Sequence, residues 1–214
     1  MRTAIDTSAL TFAPAIVLCY LLGGIPVGVL IARAHGIDLR KVGSGNIGAT
    51  NLFRALGAKW GLIGFALDTL KGLLPTLCCA WLGLHGWALG APAVALVVGH
   101  CYSPYLRFAG GKGVATSLGV ALALFWPAGL IPFLLWIGVT AVSRYVSLGS
   151  VVALPTAPVI AALLGASGPE VAAMAVAAVL CVVRHAENLE RLVQGTENRL
   201  GRRKAPPSEE DTQP

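Results

Sequence analysis

The sequence predicts an all-α integral membrane protein with about seven transmembrane helices. Of its 214 residues, 56% are hydrophobic and only 12% are charged, and the mean hydropathy is +0.74. Average soluble domains contain roughly 25% charged residues, so this chain lacks the polar surface that a water-soluble fold requires. Its apolar residues also form blocks that approach the ~20 residues with which a helix crosses the hydrocarbon core.

Apolar blocks recur along almost the whole chain, which a single secretory signal would not produce. Spans are expected near residues 12–34, 61–83, 88–106, 112–126, 130–142, 147–165 and 169–184. The fourth and fifth are short and meet at residues 126–129, so they could instead form a re-entrant pair that neighbouring helices shield from lipid. Helices are favoured over a closed barrel because long stretches of alternating polar and apolar residues are absent.

The basic residues predict the orientation, because Lys and Arg in short loops remain on the cytoplasmic side of a membrane. All of them except Arg2 and Lys71 lie in or beside the first, third and fifth loops or in the C-terminal tail. The N-terminus is therefore expected outside and the C-terminus in the cytoplasm. A basic inner rim facing anionic headgroups also explains the net charge of +6, so membrane lipid is predicted as a partner and nucleic acid is not.

The chain is expected to form one polytopic membrane domain over residues 1–204, followed by a tail. Residues 205–214 are polar and rich in Pro and acidic side chains, a composition that cannot bury a core. We therefore expect this tail to be disordered.

The first cytoplasmic loop combines glycines with small polar side chains and an arginine. Residues 43–54 read Gly-Ser-Gly-Asn-Ile-Gly-Ala-Thr-Asn-Leu-Phe-Arg. Closely spaced glycines let backbone N–H groups approach an anion, while Ser44 and Asn46 add neutral donors and Arg54 supplies a planar charged fork. A flexible interhelical loop is the simpler interpretation of a lone Gly-x-Gly. The density of Asn, Ser and Arg favours an anion cradle instead.

The third loop places three glycines around a lysine where the fourth span begins. Gly110, Gly111 and Gly113 surround Lys112. Free N–H groups and the positive end of the helix dipole would converge there with an ammonium charge, so anion binding is the natural inference. The Gly-x-x-x-x-Gly-Lys-Ser/Thr order is missing and no strand precedes the segment, which disfavours ATP hydrolysis.

Two further segments carry polar groups whose sequence allows two interpretations. Asp68 and Lys71 are three residues apart inside the second span, and they are as well explained by an internal ion pair as by a functional site. His185 and Asn188 would share a helix face and point to one place, although an amphipathic basic helix lying on the inner leaflet would look similar. Residues 143–150 by themselves indicate only a helix start.

Four segments resemble the motifs of the bacterial acyl-phosphate-dependent glycerol-3-phosphate acyltransferases, the PlsY type, in the same order and with matching spacing. They are residues 43–54, 99–116, 143–150 and 184–197. The resemblance covers roughly residues 12–200. It implies a seven-helix enzyme of the bacterial cytoplasmic membrane whose active site faces the cytoplasm. Such an enzyme transfers the acyl group of acyl phosphate to the 1-hydroxyl of glycerol 3-phosphate, giving lysophosphatidic acid and inorganic phosphate in the first step of phospholipid synthesis. A coupling to an enzyme that produces acyl phosphate stays open.

The resemblance also implies roles for residues at matching positions. Those implied as catalytic are Ser44, Arg54, Lys112, His185 and Asn188. Those implied to bind substrate are Asn46, Lys71, Gly110, Gly111, Gly113 and Ser143, and Glu197 is implied as a structural member. Ser143 stands where the family often has Thr, which keeps a hydroxyl, whereas Ala186 stands where a basic residue is common, which would weaken an anion contact.

The chemistry of this reaction agrees with the residues present. An acyl phosphate is already activated because phosphate leaves readily, so the protein mainly has to align the attacking hydroxyl and stabilise charge. Two anionic substrates require clustered cations, which Arg54, Lys71 and Lys112 would supply. A covalent acyl-Ser44 would need an adjacent base, and none stands beside it in the sequence, so direct transfer is expected. A histidine or a substrate phosphate could accept the proton, and the base stays unassigned.

Other functions fit the sequence less well. An acyl-CoA-dependent enzyme of the other glycerol-phosphate acyltransferase type would carry His and Asp separated by four residues, and none of the four histidines has Asp at that offset. A transporter would suit the buried charged pair, but the motifs cluster at one interface and no internal repeat joins the halves. A structural scaffold would leave the glycine-rich loops without purpose. No His, Cys or carboxylate cluster has metal-ligand spacing, so neither a metal nor another cofactor is predicted.

Overall fold

The structure, a computed structural model, describes residues 7–201, with side chains from residue 12 onward. The regular elements in this range are all helical, which confirms the predicted all-α class. They are α1 (Thr7–Gly24), α2 (Val27–Ala34), α3 (Ala49–Leu56), α4 (Ala58–Trp81), α5 (Trp87–Cys101), a 3-10 helix (Pro104–Leu106), α6 (Val114–Leu124), α7 (Trp126–Ser143), α8 (Val146–Ala153), α9 (Thr156–Leu163), α10 (Gly168–Val183) and α11 (Ala186–Val193). The predicted disordered tail, residues 205–214, lies outside the described residues.

Each predicted apolar segment coincides with one helix or with a pair of helices separated by a short break. The first segment divides into α1 and α2 beside Pro26, and the sixth divides into α8 and α9 beside Pro155. Proline has no N–H to donate, and its ring clashes with the carbonyl one turn earlier, so both breaks follow from the sequence. The sequence did not predict α3, which forms inside the first loop.

Four helical stretches among the described residues are long and apolar enough to cross a membrane: Phe12–Ala34, Ala58–Trp81, Trp126–Ser143 and Val146–Leu163. Together α10 and α11 also qualify but bend by 53° at their junction, so the total is up to five. At 11 residues, α6 rises only about 16 Å, against a hydrocarbon core of about 30 Å. The helices α5 and α6 are shorter than the predicted spans 88–106 and 112–126, because a loop occupies the residues between them.

Glycines let pairs of these helices pack backbone to backbone. A Cβ atom added to Gly72 of α4 would collide with the carbonyl oxygen of Thr116 in α6, and one added to Gly119 of α6 would collide with that of Thr69. On α1, Gly23 lies equally close to the backbone of α5. Such close approaches are typical of helix pairs in membranes, where small residues maximise packing.

The outer surface of the bundle is apolar, as lipid contact requires. Val142 is 90% exposed and Leu163 is 79% exposed, whereas Leu96 and Val97 of α5, at the centre of the bundle, are fully buried. The most exposed tryptophan, Trp81, ends α4 and is 85% exposed. Trp side chains at helix ends are typical of the membrane–water interface, so this end of α4 is well suited to that position.

Candidate active site

A cavity of about 410 Å³ lies where four parts of the chain meet: the first loop, the start of α6, the start of α8 and the segment after α10. Its polar lining consists of Ser44, Asn46, Thr50, Asn51, Arg54, Asp68, His100, Lys112, Ser147, Ser150, His185, Asn188 and Glu197. Its apolar lining includes Leu62, Phe65, Phe133, Trp136 and Ile137. Segments that are far apart in the chain therefore build one site that is polar in one part and apolar in another.

The first loop is shaped by the side chain of Asn51, which is 1% exposed. Its Oδ1 accepts from the Ser44 N–H at 2.9 Å, and its Nδ2 donates to the carbonyl oxygens of Leu39 at 2.9 Å and Val42 at 3.0 Å. Gly43 has φ +59, and a Cβ atom there would collide with the Asn51 amide. The loop therefore holds Ser44 at the cavity through an asparagine that the sequence analysis did not single out.

The other two polar residues of the first motif also line the cavity. Asn46 accepts the Gly48 N–H at 2.9 Å, a local Asx turn that leads into α3. Arg54 lies in the last turn of α3, and its guanidinium makes no ion pair or hydrogen bond with any residue that the structure describes. An unpaired cation beside a cavity is well suited to an anionic ligand.

The glycines before Lys112 have a different arrangement from the one expected. The Gly110 N–H donates to the carbonyl of Cys101 at 3.2 Å, and the Gly111 N–H donates to that of His100 at 3.0 Å. The free N–H groups that the sequence suggested at these two glycines are therefore already used. Gly110 and Gly111 also lie outside the lining of the cavity.

Gly113 does line the cavity, and it begins α6 in the left-handed region with φ +84. Val114 and Ala115, the first residues of the helix, line the cavity as well. The N–H groups of a first helical turn have no intrahelical partner and carry the positive end of the dipole. The anion-binding feature predicted for this loop thus lies at the start of α6.

Lys112 reaches across the cavity to the C-terminal motif, where its Nζ donates to Oδ1 of Asn188. Burial lowers the pKa of Lys112 to about 8, and the nearby Glu197 carboxylate opposes this effect only in part. The lysine is therefore mostly charged at pH 7, but its proton is held weakly. A bound phosphate would restore the stability of the charged form.

Glu197 organises the polar lining. Its Oε1 accepts from Asn188 Nδ2 at 2.8 Å and from Ser147 Oγ at 3.1 Å, and its Oε2 accepts from Arg191 Nε at 2.8 Å. Burial raises the pKa of Glu197, but these three hydrogen bonds outweigh burial and hold the pKa below its usual range. The ionised carboxylate fixes the amide of Asn188 so that its oxygen faces Lys112.

His185 begins the last helix and is only 3% exposed. Its Nδ1 lies 2.7 Å from the carbonyl oxygen of Cys181. Burial lowers the pKa of His185 to about 4, so the ring is neutral at physiological pH. A carbonyl can only accept, so Nδ1 carries the proton and Nε2 keeps a lone pair.

Comparison with known proteins identifies the family. The model of the family described as glycerol-3-phosphate acyltransferase matches residues 13–195. The chain belongs to this family. A glycerol-3-phosphate acyltransferase from Rubrobacter xylanophilus is 45% identical over 88% of this chain and 94% of its own length, and one from Thermus thermophilus is 48% identical over the same shares.

Solved structures agree with this family membership. A crystal structure of PlsY, an integral membrane glycerol 3-phosphate acyltransferase in its glycerol 3-phosphate form, is 42% identical and superposes with a TM-score of 0.85. The likeness covers 89% of this chain and 96% of that one. The lysophosphatidic acid form of PlsY gives 41% identity and a TM-score of 0.84. An integral membrane acyltransferase is thus shown, which disfavours the transporter and scaffold alternatives.

Besides Gly110 and Gly111, two further residues of this acyltransferase that were expected to bind substrate lie outside the cavity lining. Lys71 Nζ is 2.7 Å from Asp68 Oδ1 and donates to the Ile25 carbonyl at 3.0 Å, so it forms an internal ion pair and caps the break after α1. Ser143 is the last residue of α7, and its Oγ donates to the Val139 carbonyl at 2.6 Å. In this structure neither side chain has direct access to the cavity.

The cavity lining also contains hydroxyl groups that the sequence analysis passed over. Ser147 and Ser150 lie one turn apart on α8 and both line the cavity. The sequence indicated only a helix start there, because serines at that position also serve as ordinary cap residues. Their spacing on one helix face was the available signal, but nothing in the sequence shows which face turns inward.

Proposed function

We propose that this acyltransferase moves a fatty acyl group from acyl phosphate to the 1-hydroxyl of glycerol 3-phosphate. The hydroxyl oxygen bonds to the acyl carbon, the carbon–oxygen bond to phosphate breaks, and the products are lysophosphatidic acid and inorganic phosphate. The observation that carries the proposal is the cavity of about 410 Å³, which joins cationic and amide groups to an apolar wall. Both substrates have an anionic phosphate, and the donor also has a long apolar chain, so the lining matches both.

The polar part of the cavity supplies what two phosphate groups need. Arg54 is unpaired among the described residues, and Lys112 is bound only to a neutral amide. The start of α6 adds N–H groups and the positive end of its dipole. We assign the glycerol phosphate to Lys112 and the α6 start, with Ser44, Asn46 and Asn188 as neutral donors and acceptors around the reacting groups.

The apolar part of the cavity is well suited to the acyl chain. Phe65, Phe133 and Trp136 stack on one another, with ring centroids 5.9 to 6.1 Å apart. These three side chains and Val114 also line a second, almost wholly apolar cavity of about 50 Å³. A chain that begins at the polar groups could therefore continue along apolar surface into the bundle.

Direct transfer requires no covalent intermediate. Ser44 shows no hydrogen bond to a histidine among the described residues, so the arrangement that activates a serine nucleophile is not formed. Phosphate is a good leaving group, and the site has only to align the hydroxyl and stabilise the developing charge. His185 with its Nε2 lone pair and the substrate phosphates are both able to accept the proton.

The proposed arrangement in the membrane is one domain over residues 1–204 with seven spans, in the bacterial cytoplasmic membrane. In this arrangement the seven apolar helical segments would alternate in direction, which brings the basic loops to one end of the bundle. The cavity supports it, because residues of the basic first and third loops and of the C-terminal segment line it together. Basic loops are retained in the cytoplasm, so the N-terminus is placed outside and the active site inside. Acyl phosphate could then be received from a cytoplasmic enzyme that produces it.

The decisive experiment uses purified protein in lipid with glycerol 3-phosphate and palmitoyl phosphate. We expect equal amounts of inorganic phosphate and lysophosphatidic acid, with palmitoyl-CoA refused as donor. Lys112→Ala should lose at least about a hundredfold in kcat/KM, because a buried charge-assisted contact to phosphate is removed.

Lys59→Ala is the matched control, since Lys59 is exposed and lies over the ring of Trp60, away from the cavity. Its activity should equal that of the unmodified protein. Two results would contradict acyl phosphate as the donor. One is product from palmitoyl-CoA at a comparable rate, and the other is no product from palmitoyl phosphate with folded protein.

A further inference from the structure

Arg184 lies outside the cavity and binds the glycine segment of the third loop, Gly110 and Gly111. It follows α10 directly and is absent from the cavity lining. Its Nη2 donates to the carbonyl of Gly110 at 3.0 Å, and its Nε donates to that of Gly111 at 3.1 Å. Its Cζ also lies 5.4 Å from the ring centroid of Tyr102, within the range of a cation–π interaction. A single planar fork thus contacts both ends of the loop.

The opposite side of the glycine segment is held by the end of α5. The N–H groups of Gly110 and Gly111 donate to carbonyl oxygens of that helix, so every backbone polar group of the two glycines is paired. A Cβ atom at Gly111 would collide with the ring of His100, which leaves no space for the segment to shift inward. The two peptide units that precede Lys112 are therefore fixed between α5 and Arg184.

We propose that Arg184 is a positioning residue, which sets the glycine segment so that Lys112 enters the cavity at the angle needed to bind phosphate. Because His185 is the next residue, the same contact ties the third loop to the C-terminal motif. The inference rests on the proposed function, in which Lys112 binds glycerol 3-phosphate. Lysine cannot replace Arg184, since one ammonium group cannot span two carbonyls and also present a flat face to Tyr102.

The test is the variant Arg184→Lys, which keeps the charge and removes the fork. We expect the KM for glycerol 3-phosphate to rise about tenfold, while the KM for palmitoyl phosphate changes by less than about twofold. Amide hydrogen exchange at Gly110 and Gly111 should become faster, because the guanidinium that holds their carbonyl oxygens is lost and the segment opens more often.

Arg199→Lys is the matched control. Arg199 lies over the ring of Tyr145 at 5.0 Å and donates to its hydroxyl at 2.7 Å, yet it contacts neither glycine. This variant should leave both KM values and the glycine exchange rates unchanged. If Arg184→Lys folds poorly, Tyr102→Leu removes only the stacking face and should give a smaller change in the same direction.

Three results would overturn the positioning role: a lower kcat with both KM values unchanged, an equal rise in both KM values, or unchanged exchange at the glycines. The first indicates a smaller fraction of folded enzyme, and the second indicates a general distortion of the cavity. If the unmodified protein forms no product, the proposed function fails instead. Hydrogen exchange in Arg184→Lys then still decides whether Arg184 holds the segment.

Discussion

Lys112 has its charge in a position where burial opposes it. Its pKa falls to about 8, from an ordinary value of 10.5, mainly through burial. The only hydrogen-bond partner seen for its ammonium group among the described residues is the neutral amide of Asn188. Glu197, which could have formed an ion pair with it, is instead bound by three other donors. The free site is therefore electrostatically incomplete, and an anionic substrate would complete it.

The lowered pKa of Lys112 predicts a specific pH dependence. The charged form is the one that binds phosphate, and it is lost as pH rises through about 8. We expect kcat/KM for glycerol 3-phosphate to fall about tenfold for each pH unit above about 8, because kcat/KM reports ionisations of the free enzyme. Lys112→Arg keeps its charge to much higher pH. The retained activity of this variant, even if lower, should be flat from pH 7 to pH 10, and a parallel fall in both proteins would contradict the assignment.

The first loop shows which parts of a site can be predicted from residue types. Ser44, Asn46 and Arg54 were expected at an anion site because their side chains can contact a phosphate, and all three line the cavity. Asn51 has the same chemistry but serves the protein itself, since its amide contacts only backbone groups. The sequence cannot tell an asparagine that binds substrate from one that shapes a loop, because the distinction depends on where the amide points.

At the scale of elements, close helix packing depends on glycines in the two central helices. Gly72 and Gly119 let α4 and α6 approach until each meets a backbone carbonyl of the other. The apolar pattern predicted both helices, but it did not predict which would be neighbours. Helix contacts in lipid depend on shape more than on hydrophobicity, and shape is set by pairs of residues far apart in the chain.

Gly119→Ala should therefore destabilise the bundle. Its new Cβ atom would collide with the backbone of α4 at Thr69, and overpacking of this kind costs about 1–3 kcal/mol. Gly138→Ala is the matched control, because Gly138 also lies inside a helix but has no neighbour within 4 Å of the added atom. Thermal unfolding in detergent should show a lower Tm for Gly119→Ala and an unchanged or higher Tm for Gly138→Ala. Equal Tm values would show that the two helices can separate at no cost.

At the scale of the whole molecule, the proposed active site depends on the basic loops lying at the same end of the bundle. The cavity is lined from the first loop, the start of α6, the start of α8 and the segment after α10. These segments alternate along the chain with short loops that carry no Lys or Arg. The charge pattern therefore predicted which segments would meet, whereas broken helices and a short α6 made the number of spans harder to predict from hydropathy alone.

The proposed orientation predicts opposite labelling from the two sides of the membrane. We expect Lys41→Cys in the first loop to react with a membrane-impermeant maleimide only in inside-out vesicles, and His85→Cys between α4 and α5 only in right-side-out vesicles. Both residues are exposed and lie outside the helices, so accessibility depends only on the side of the membrane. The background should be low, because four of the five native cysteines are buried and Cys78, which is exposed within α4, can be replaced by Ala.

The two labelled positions separate orientation from span number. Reaction of Lys41→Cys from the outside would place the phosphate site on the wrong face for a cytoplasmic acyl phosphate, and the proposed orientation would be abandoned. Reaction of both positions from one side would mean that α4 does not cross. Leu164→Cys, just after α9, extends the test, since a seven-span chain places it with His85→Cys outside. If α6 and α7 were a re-entrant pair instead, the helices after them would keep the same orientation. Phe125→Cys between them would then lose its outside labelling while Leu164→Cys kept it.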